Sequence, residues 1–246
     1  MRAYDLIKET FNRKLFILIV HLSWLALYGM FYWLRLPDAG EVSDFARFIF
    51  IWGGFFLALA LSAGIFGDDI SSGRICVLVT KPFWLGELYI YRLLGLSLQA
   101  AVHFIMAWFV IFILHIIMRK GSINNLGLWL FASWLLFNTC AALSTSLSVV
   151  VRRALNSMLL FVVIGFTFFF ASLLETFFRD HTAKVVLQVV LRYTCPPIEL
   201  LVNMATGKYS LIQSLACVMH SLVLTAFYSI VGIIILIKRQ FACESD

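Results

Sequence analysis

Charge is scarce in this chain: Asp, Glu, Lys and Arg together supply 13% of its 246 residues, against 62% hydrophobic. A soluble domain is about half apolar and a quarter charged, so a soluble fold of any size is excluded. Catalytic signatures are missing too. The chain contains no Gly-x-x-x-x-Gly-Lys-Ser/Thr to cradle phosphate, no His-Glu-x-x-His and no Gly-x-Ser-x-Gly nucleophile elbow. Five cysteines, Cys76, Cys140, Cys195, Cys217 and Cys243, form no Cys-x-x-Cys or other metal spacing and read as spectator thiols. There are four prolines, two of them adjacent at Pro196–Pro197.

What is present is long apolar runs. Mean hydropathy is +0.96, and six stretches reach the roughly 17–25 residues that cross a bilayer core. They are Leu15–Trp33, Phe48–Phe66, Leu93–Met118, Leu126–Val151, Met158–Phe178 and Leu211–Ile237. A charge at mid-span costs about 2.5–3.5 kcal/mol on insertion scales, and among these runs the one acid is Glu175, close to an end. The expected fold is therefore all-α, a polytopic membrane protein with six transmembrane helices. The leader carries Asp5 and Glu9 and no small-x-small site follows it, so the first span is expected to be retained rather than cleaved as a signal.

With both termini inside, eleven Lys and Arg residues lie on the inner side and eight on the outer. The first span has Arg2, Lys8, Arg13 and Lys14 before it and Arg35 alone after it. That asymmetry favours cytoplasmic termini. The net charge of +6 suits anionic lipid headgroups and not nucleic acid, since no basic run is interleaved with aromatics. Residues 1–14 place Ala3, Leu6/Ile7 and Thr10/Phe11 on one helical face and Arg2, Asp5, Lys8/Glu9 and Asn12/Arg13 on the other. This predicts an amphipathic interfacial helix, ahead of a six-span body over 15–246. Between spans five and six, residues 179–210 hold two short apolar patches, Val185–Leu191 and Ile198–Ala205, around the proline pair. Both are too short to span and are expected as short outer-leaflet helices.

Residues 67–92 are the polar exception. Gly67-Asp68-Asp69-Ile70-Ser71-Ser72-Gly73-Arg74 leads through Ile75–Val79 to Lys81-Pro82, then Glu87 and Arg92. Asp68 and Asp69 fall where span two leaves the membrane, within reach of Arg74, Arg152 or Arg153. Gly67 and Gly73 permit sharp turns, and Ile75–Val79 suits a short helix packed on a partner. A charged loop that only fixes topology is the simpler alternative. The pattern Asp69-x-x-x-Gly73, an aliphatic stretch, Pro82 and a closing basic residue at Arg92 resembles the permease subunits of ABC-2 type transporters. Arg74 stands where that family usually has Thr, Leu85 where a basic residue is common, and Tyr91-Arg92 where it has Gly-Lys.

The resemblance implies a transport subunit of an ABC exporter in a bacterial plasma (inner) membrane. Its coupling loop, 67–92 with Asp68, Asp69, Gly73, Arg74, Lys81, Pro82, Glu87 and Arg92, would contact a separate ATP-binding subunit. It also implies two copies of that subunit, which would carry the ATP and Mg, a second permease chain, identical or related, and no cofactor on this chain. A non-transporting six-span scaffold or assembly factor is the alternative, and an intramembrane enzyme a third. Ion-coupled carriers usually hold a mid-depth carboxylate, which these runs do not show. Asn138, Thr139, Ser144 and Thr145 form part of a small and hydroxyl-rich stretch suited to close helix packing or to a polar path. The histidines His21, His103, His115 and His220 lie on different runs without acidic or Cys partners at ligand spacing and read as structural.

Overall fold

The computed structural model describes residues 3–13, 48–79, 84–118, 125–163 and 193–239, with single positions at 19, 165, 185, 186, 189 and 190. The described chain is helical: α1 (Ala3–Arg13), a π-helical turn (Phe48–Trp52), α2 (Gly53–Ser62), α3 (Gly67–Ser71), α4 (Arg74–Val79), α5 (Leu85–Met118), α6 (Leu126–Ser148), α7 (Arg153–Val163), α8 (Ile198–Ala205) and α9 (Leu211–Lys238). Among the described residues four stretches are long and apolar enough to cross a membrane: Phe50–Ser71, Leu85–Ile113, Leu126–Ser148 and Leu211–Lys238. They match the second, third, fourth and sixth expected runs. The expected first span lies outside the described residues, as does most of the fifth, whose opening falls on α7.

Two boundaries differ from expectation. The Phe48–Phe66 run is not one helix, because α2 stops at Ser62 and a turn follows at residues 63–66. Gly64 adopts φ +78 there, a left-handed conformation that glycine accepts without steric cost. Conversely α5 begins at Leu85, eight residues before the expected Leu93, and includes Arg92. At 1.5 Å per residue its 34 residues run about 50 Å, longer than the roughly 30 Å hydrocarbon core.

α6 is the central helix, packed on α2, α5, α8 and α9. It buries Trp129, Leu135, Leu136, Phe137, Cys140 and Ala141. Small residues set the approach distances. A Cβ on Gly54 of α2 would sit 3.1 Å from the Ser133 carbonyl of α6. A Cβ on Gly232 of α9 would sit 2.6 Å from the Tyr89 hydroxyl and 2.8 Å from Ser146 Cβ. In lipid, where apolar surface gains nothing by meeting apolar surface, such close van der Waals packing holds helices together. α9 opens with a reciprocal cap: Gln213 N donates to Ser210 Oγ at 3.4 Å, and Ser210 N donates to Gln213 Oε1 at 2.9 Å. It closes on Lys238, a cation at the negative end of the helix dipole.

α8 buries Ile198, Leu201, Met204 and Ala205 and packs on α6. The second outer patch therefore covers the chain's own helix as well as any lipid. Of the first patch, positions 185, 186, 189 and 190 are helical and exposed. α4 similarly turns Ile75 and Leu78 into the chain's own core, where a partner-facing helix was expected. Cys76 is disulfide-bonded, so it is not the spectator thiol that its spacing suggested; Cys140, Cys195 and Cys217 are free.

Candidate functional site

α1 lies against α5, and Gly95 is the reason it lies so close. A Cβ there would meet Thr10 Cβ at 2.8 Å and the Ile7 carbonyl at 3.0 Å. α1 turns Leu6 and Thr10 inward, while Tyr4, Asp5, Lys8 and Asn12 face out. Glu9, assigned to the polar face by its spacing, is half-buried and turns toward α5.

One turn of α5 away from Gly95 is Arg92, with none of its side chain exposed. A guanidinium cannot shed its charge, so burial requires partners, and its planar fork can serve two carboxylates at once. Nη2 donates to Asp69 Oδ2 at 3.0 Å, and Nη1 to Glu9 Oε1 at 3.2 Å and to Thr10 Oγ1 at 3.1 Å. The Thr10 hydroxyl spends its own proton on the Leu6 carbonyl at 2.8 Å. Arg74, half-exposed, closes the ring from outside: its Nη2 lies 2.7 Å from Glu9 Oε1 and its Nε 4.0 Å from Asp69 Oδ1. Two cations face two anions, and the cluster is neutral.

Local structure delivers each member. The turn at Gly64 lets α3 start at Gly67, which places Asp68 and Asp69 in the first turn, at the positive end of the helix dipole. Gly73, φ +70, then reverses the chain into α4, whose first residue is Arg74. The Ser72 hydroxyl donates to the Asp68 carbonyl at 2.7 Å, tightening the same turn. Three segments far apart in sequence, α1, the 63–74 connection and α5, are thus fastened at one point.

Of the residues singled out in the 67–92 segment, the structure brings Asp69, Arg74 and Arg92 together. Asp68 instead faces Arg153 at 3.9 Å, both half-exposed. Glu87 is exposed on the first turn of α5 and lies outside the cluster. Lys81 and Pro82 lie outside the described residues. Glu9 and Thr10 were not among the expected site residues. The signal for them was Arg92 itself, set between Ile90-Tyr91 and Leu93-Leu94, since a cation in an apolar helix demands acids from elsewhere.

In α6 the hydroxyl and amide groups are largely met within the bundle. Asn138 Nδ2 donates to the Trp134 carbonyl at 2.7 Å and Thr139 Oγ1 to the Leu135 carbonyl at 3.0 Å. Thr139 Oγ1 also lies 3.3 Å from Thr225 Oγ1 on α9. Ser144 accepts from Asn156 Nδ2, 2.8 Å at its carbonyl and 3.3 Å at its hydroxyl. Thr145 Oγ1 is buried with no hydrogen-bond partner among the described residues. His103 stands edge-on to Phe104 and His220 edge-on to Tyr193. Among the described residues no three His, Cys, Asp or Glu side chains group as metal ligands; His21 and the side chain of His115 lie outside them.

The sequence matches no protein-family model, and no curated protein matches it.

Proposed function

We propose that this chain is the membrane-spanning subunit of an ATP-driven transporter of the ABC-2 type, an exporter that couples to a separate ATP-binding subunit through residues 67–92. The observation that carries the reading is the Glu9–Arg92–Asp69–Arg74 cluster. A loop that merely reversed the chain would need no buried ion pairs. One that takes a push from a partner needs a stiff connection to the helix it moves. Here the connection is Asp69 to Arg92 at 3.0 Å, on a helix long enough to traverse the bilayer, with α1 joined to the same point through Glu9. ATP binding to the partner would displace α3, α4 and α1 together, and α5 would carry the movement inward.

The distribution of cations supports a cytoplasmic position for this end of the bundle. Among the described residues it carries Lys8, Arg74, Arg92, Arg152, Arg153, Lys238 and Arg239, whereas Lys208 is at the other. Two such chains, identical or related, would enclose a pathway above two ATP-binding subunits, in a bacterial inner membrane.

The test is co-purification of the full chain from its own membrane, followed by ATP hydrolysis by the complex. Gly73 is the informative position, because nothing lies within 4 Å of a Cβ built there. Gly73→Trp would therefore project into the proposed contact, under the same left-handed strain at φ +70 that Gly73→Ala carries without the bulk. Gly73→Ala is one control and Gly73→Asn, which tolerates a left-handed φ, the other. Loss of the ATPase or of its activity with Trp and retention with both controls supports coupling. An unchanged complex and rate with Trp, or the absence of any ATPase, overturns it in favour of a scaffold.

A further inference from the structure

We propose that the corner between α6, α7 and α9 is a binding site for an anionic phospholipid, with Arg152, Arg153, Lys238 and Arg239 holding the headgroup phosphate. The transporter reading is not needed for this inference. The C-terminal ends of α6 and α9 are joined there, since Arg239 Nη1 donates to the Val149 carbonyl. Arg152 and Arg153 follow three and four residues later. A Cβ on Gly67 would lie 3.2 Å from both the Ser148 and Val151 carbonyls, so α3 closes the inner side of the corner. Four cations therefore lie at the end of the bundle where two spanning helices stop.

Their counter-charge is thin. Among the described residues Arg152 and Lys238 are exposed and make no ion pair, Arg239 is engaged by a carbonyl, and Arg153 has only the loose 3.9 Å contact to half-exposed Asp68. Arg153 also begins α7 and Arg152 immediately precedes it, at the helix end whose dipole disfavours cations, and the first turn, Arg153-Ala154-Leu155-Asn156, supplies no acid. An arrangement that repels itself in the empty state gains most from an anion. Guanidinium forks suit phosphate oxygens.

The surroundings select an amphiphile over a free anion. Val150 is 59% exposed beside the arginines and Met158 65% one to two turns along α7, while Ile234 and Ile237 are open on α9 just before Lys238. A headgroup in the basic corner would place its acyl chains along these side chains.

The experiment uses the full chain in a non-ionic detergent, read by native mass spectrometry and thermal unfolding. The probes are phosphatidylglycerol, phosphatidylcholine of the same acyl chains, and inorganic phosphate. Phosphatidylglycerol is expected to remain bound and to stabilise the protein where phosphatidylcholine does not. Lys238→Gln should weaken its retention about fivefold, as expected of one cation near a headgroup, and Arg152→Gln/Arg153→Gln by more. Lys208→Gln, at the other end of the bundle, should change nothing. The site is overturned if the two lipids bind equally, if Lys208→Gln weakens binding as much as Lys238→Gln, or if phosphate alone reproduces the stabilisation. Should the double arginine variant fail to fold, undiminished retention by Lys238→Gln alone overturns it.

Discussion

Arg92 Nη2 lies 3.0 Å from Asp69 Oδ2, with 0% and 2% of the two side chains exposed. A pair this dry is worth little relative to an apolar replacement, because desolvation consumes most of its attraction, yet breaking it from one side strands a charge. Asp69→Asn should therefore cost about 3–5 kcal/mol, read as a fall in the detergent unfolding temperature or loss from the membrane. Asp69→Leu combined with Arg92→Met should cost clearly less than either single change, with Glu9 keeping Arg74. Additive losses in that double-mutant cycle would mean that the two residues are not energetically coupled.

Gly64 and Gly73 both have positive φ, +78 and +70, but different surroundings. At Gly73 a Cβ meets open space, so Gly73→Ala should cost only the left-handed penalty of about 1–2 kcal/mol, and Gly73→Asn less. At Gly64 a Cβ would also lie 2.8 Å from Arg153 Cβ and Cγ and 2.9 Å from Asp68 Oδ1. Crowding of that kind adds roughly 1–3 kcal/mol. Thermal unfolding of the three variants should rank Gly64→Ala as the most damaging, and equal effects at the two positions would contradict the packing of Arg153 over the turn.

The spanning helices were legible because hydropathy over some twenty residues is a strong signal and the bilayer fixes the length. Among the described residues, four of the six expected runs coincide with helical stretches long enough to span. Their ends were less legible. Charge ordinarily marks where a span stops, and Arg92 was read that way; it continues α5 because Glu9 and Asp69, from 83 and 23 residues away, neutralise it. Tertiary pairing of this sort leaves no local pattern. Asp69 and Arg74 were readable as a nearby pair, whereas Glu9 looked like one more charge on the polar face of α1. The break at Ala63–Phe66 was masked by its own hydrophobicity, with Gly64 its one cue. The disulfide at Cys76 has no spacing signature at all.

The seat of α1 rests on a single missing side chain. Gly95→Ala would push a methyl group against Thr10 Cβ at 2.8 Å and the Ile7 carbonyl at 3.0 Å, and the backbone atom cannot swing aside. A cost of about 1–3 kcal/mol is expected, concentrated on the α1–α5 contact. Hydrogen exchange should show faster exchange of the amides of residues 7–13 with the α6–α9 pair unchanged. Leu94→Ala, at a position 45% exposed, is the control and should leave α1 protected. Uniform loss of protection across the bundle would mean that α1 is not a separable element.

Cys195 offers a check on burial, and exposed Lys208 and Ser72 one on sidedness. The cysteine lies outside the spanning stretches, next to Thr194, whose carbonyl accepts from the Tyr228 hydroxyl. Burial pushes the Cys195 thiol above its ordinary pKa, and a hydrogen bond with the Thr194 side chain offsets part of that rise. The thiolate is the reactive form, so raising the pKa lowers its fraction at neutral pH. Labelling by a maleimide should be slower at pH 7 than for a free cysteine and should keep climbing into a pH range where the free thiol has levelled off. Tyr193 and Thr194 meet His220 and Tyr228 of α9, so Cys195 lies part-way along the bundle and not at its end. With cytoplasmic termini, a membrane-impermeant maleimide added to intact cells should reach a cysteine introduced at exposed Lys208, whereas one introduced at exposed Ser72 should be protected. The reverse pattern would invert the orientation and place the Asp69–Arg92 cluster outside, where no ATP-binding subunit could engage it.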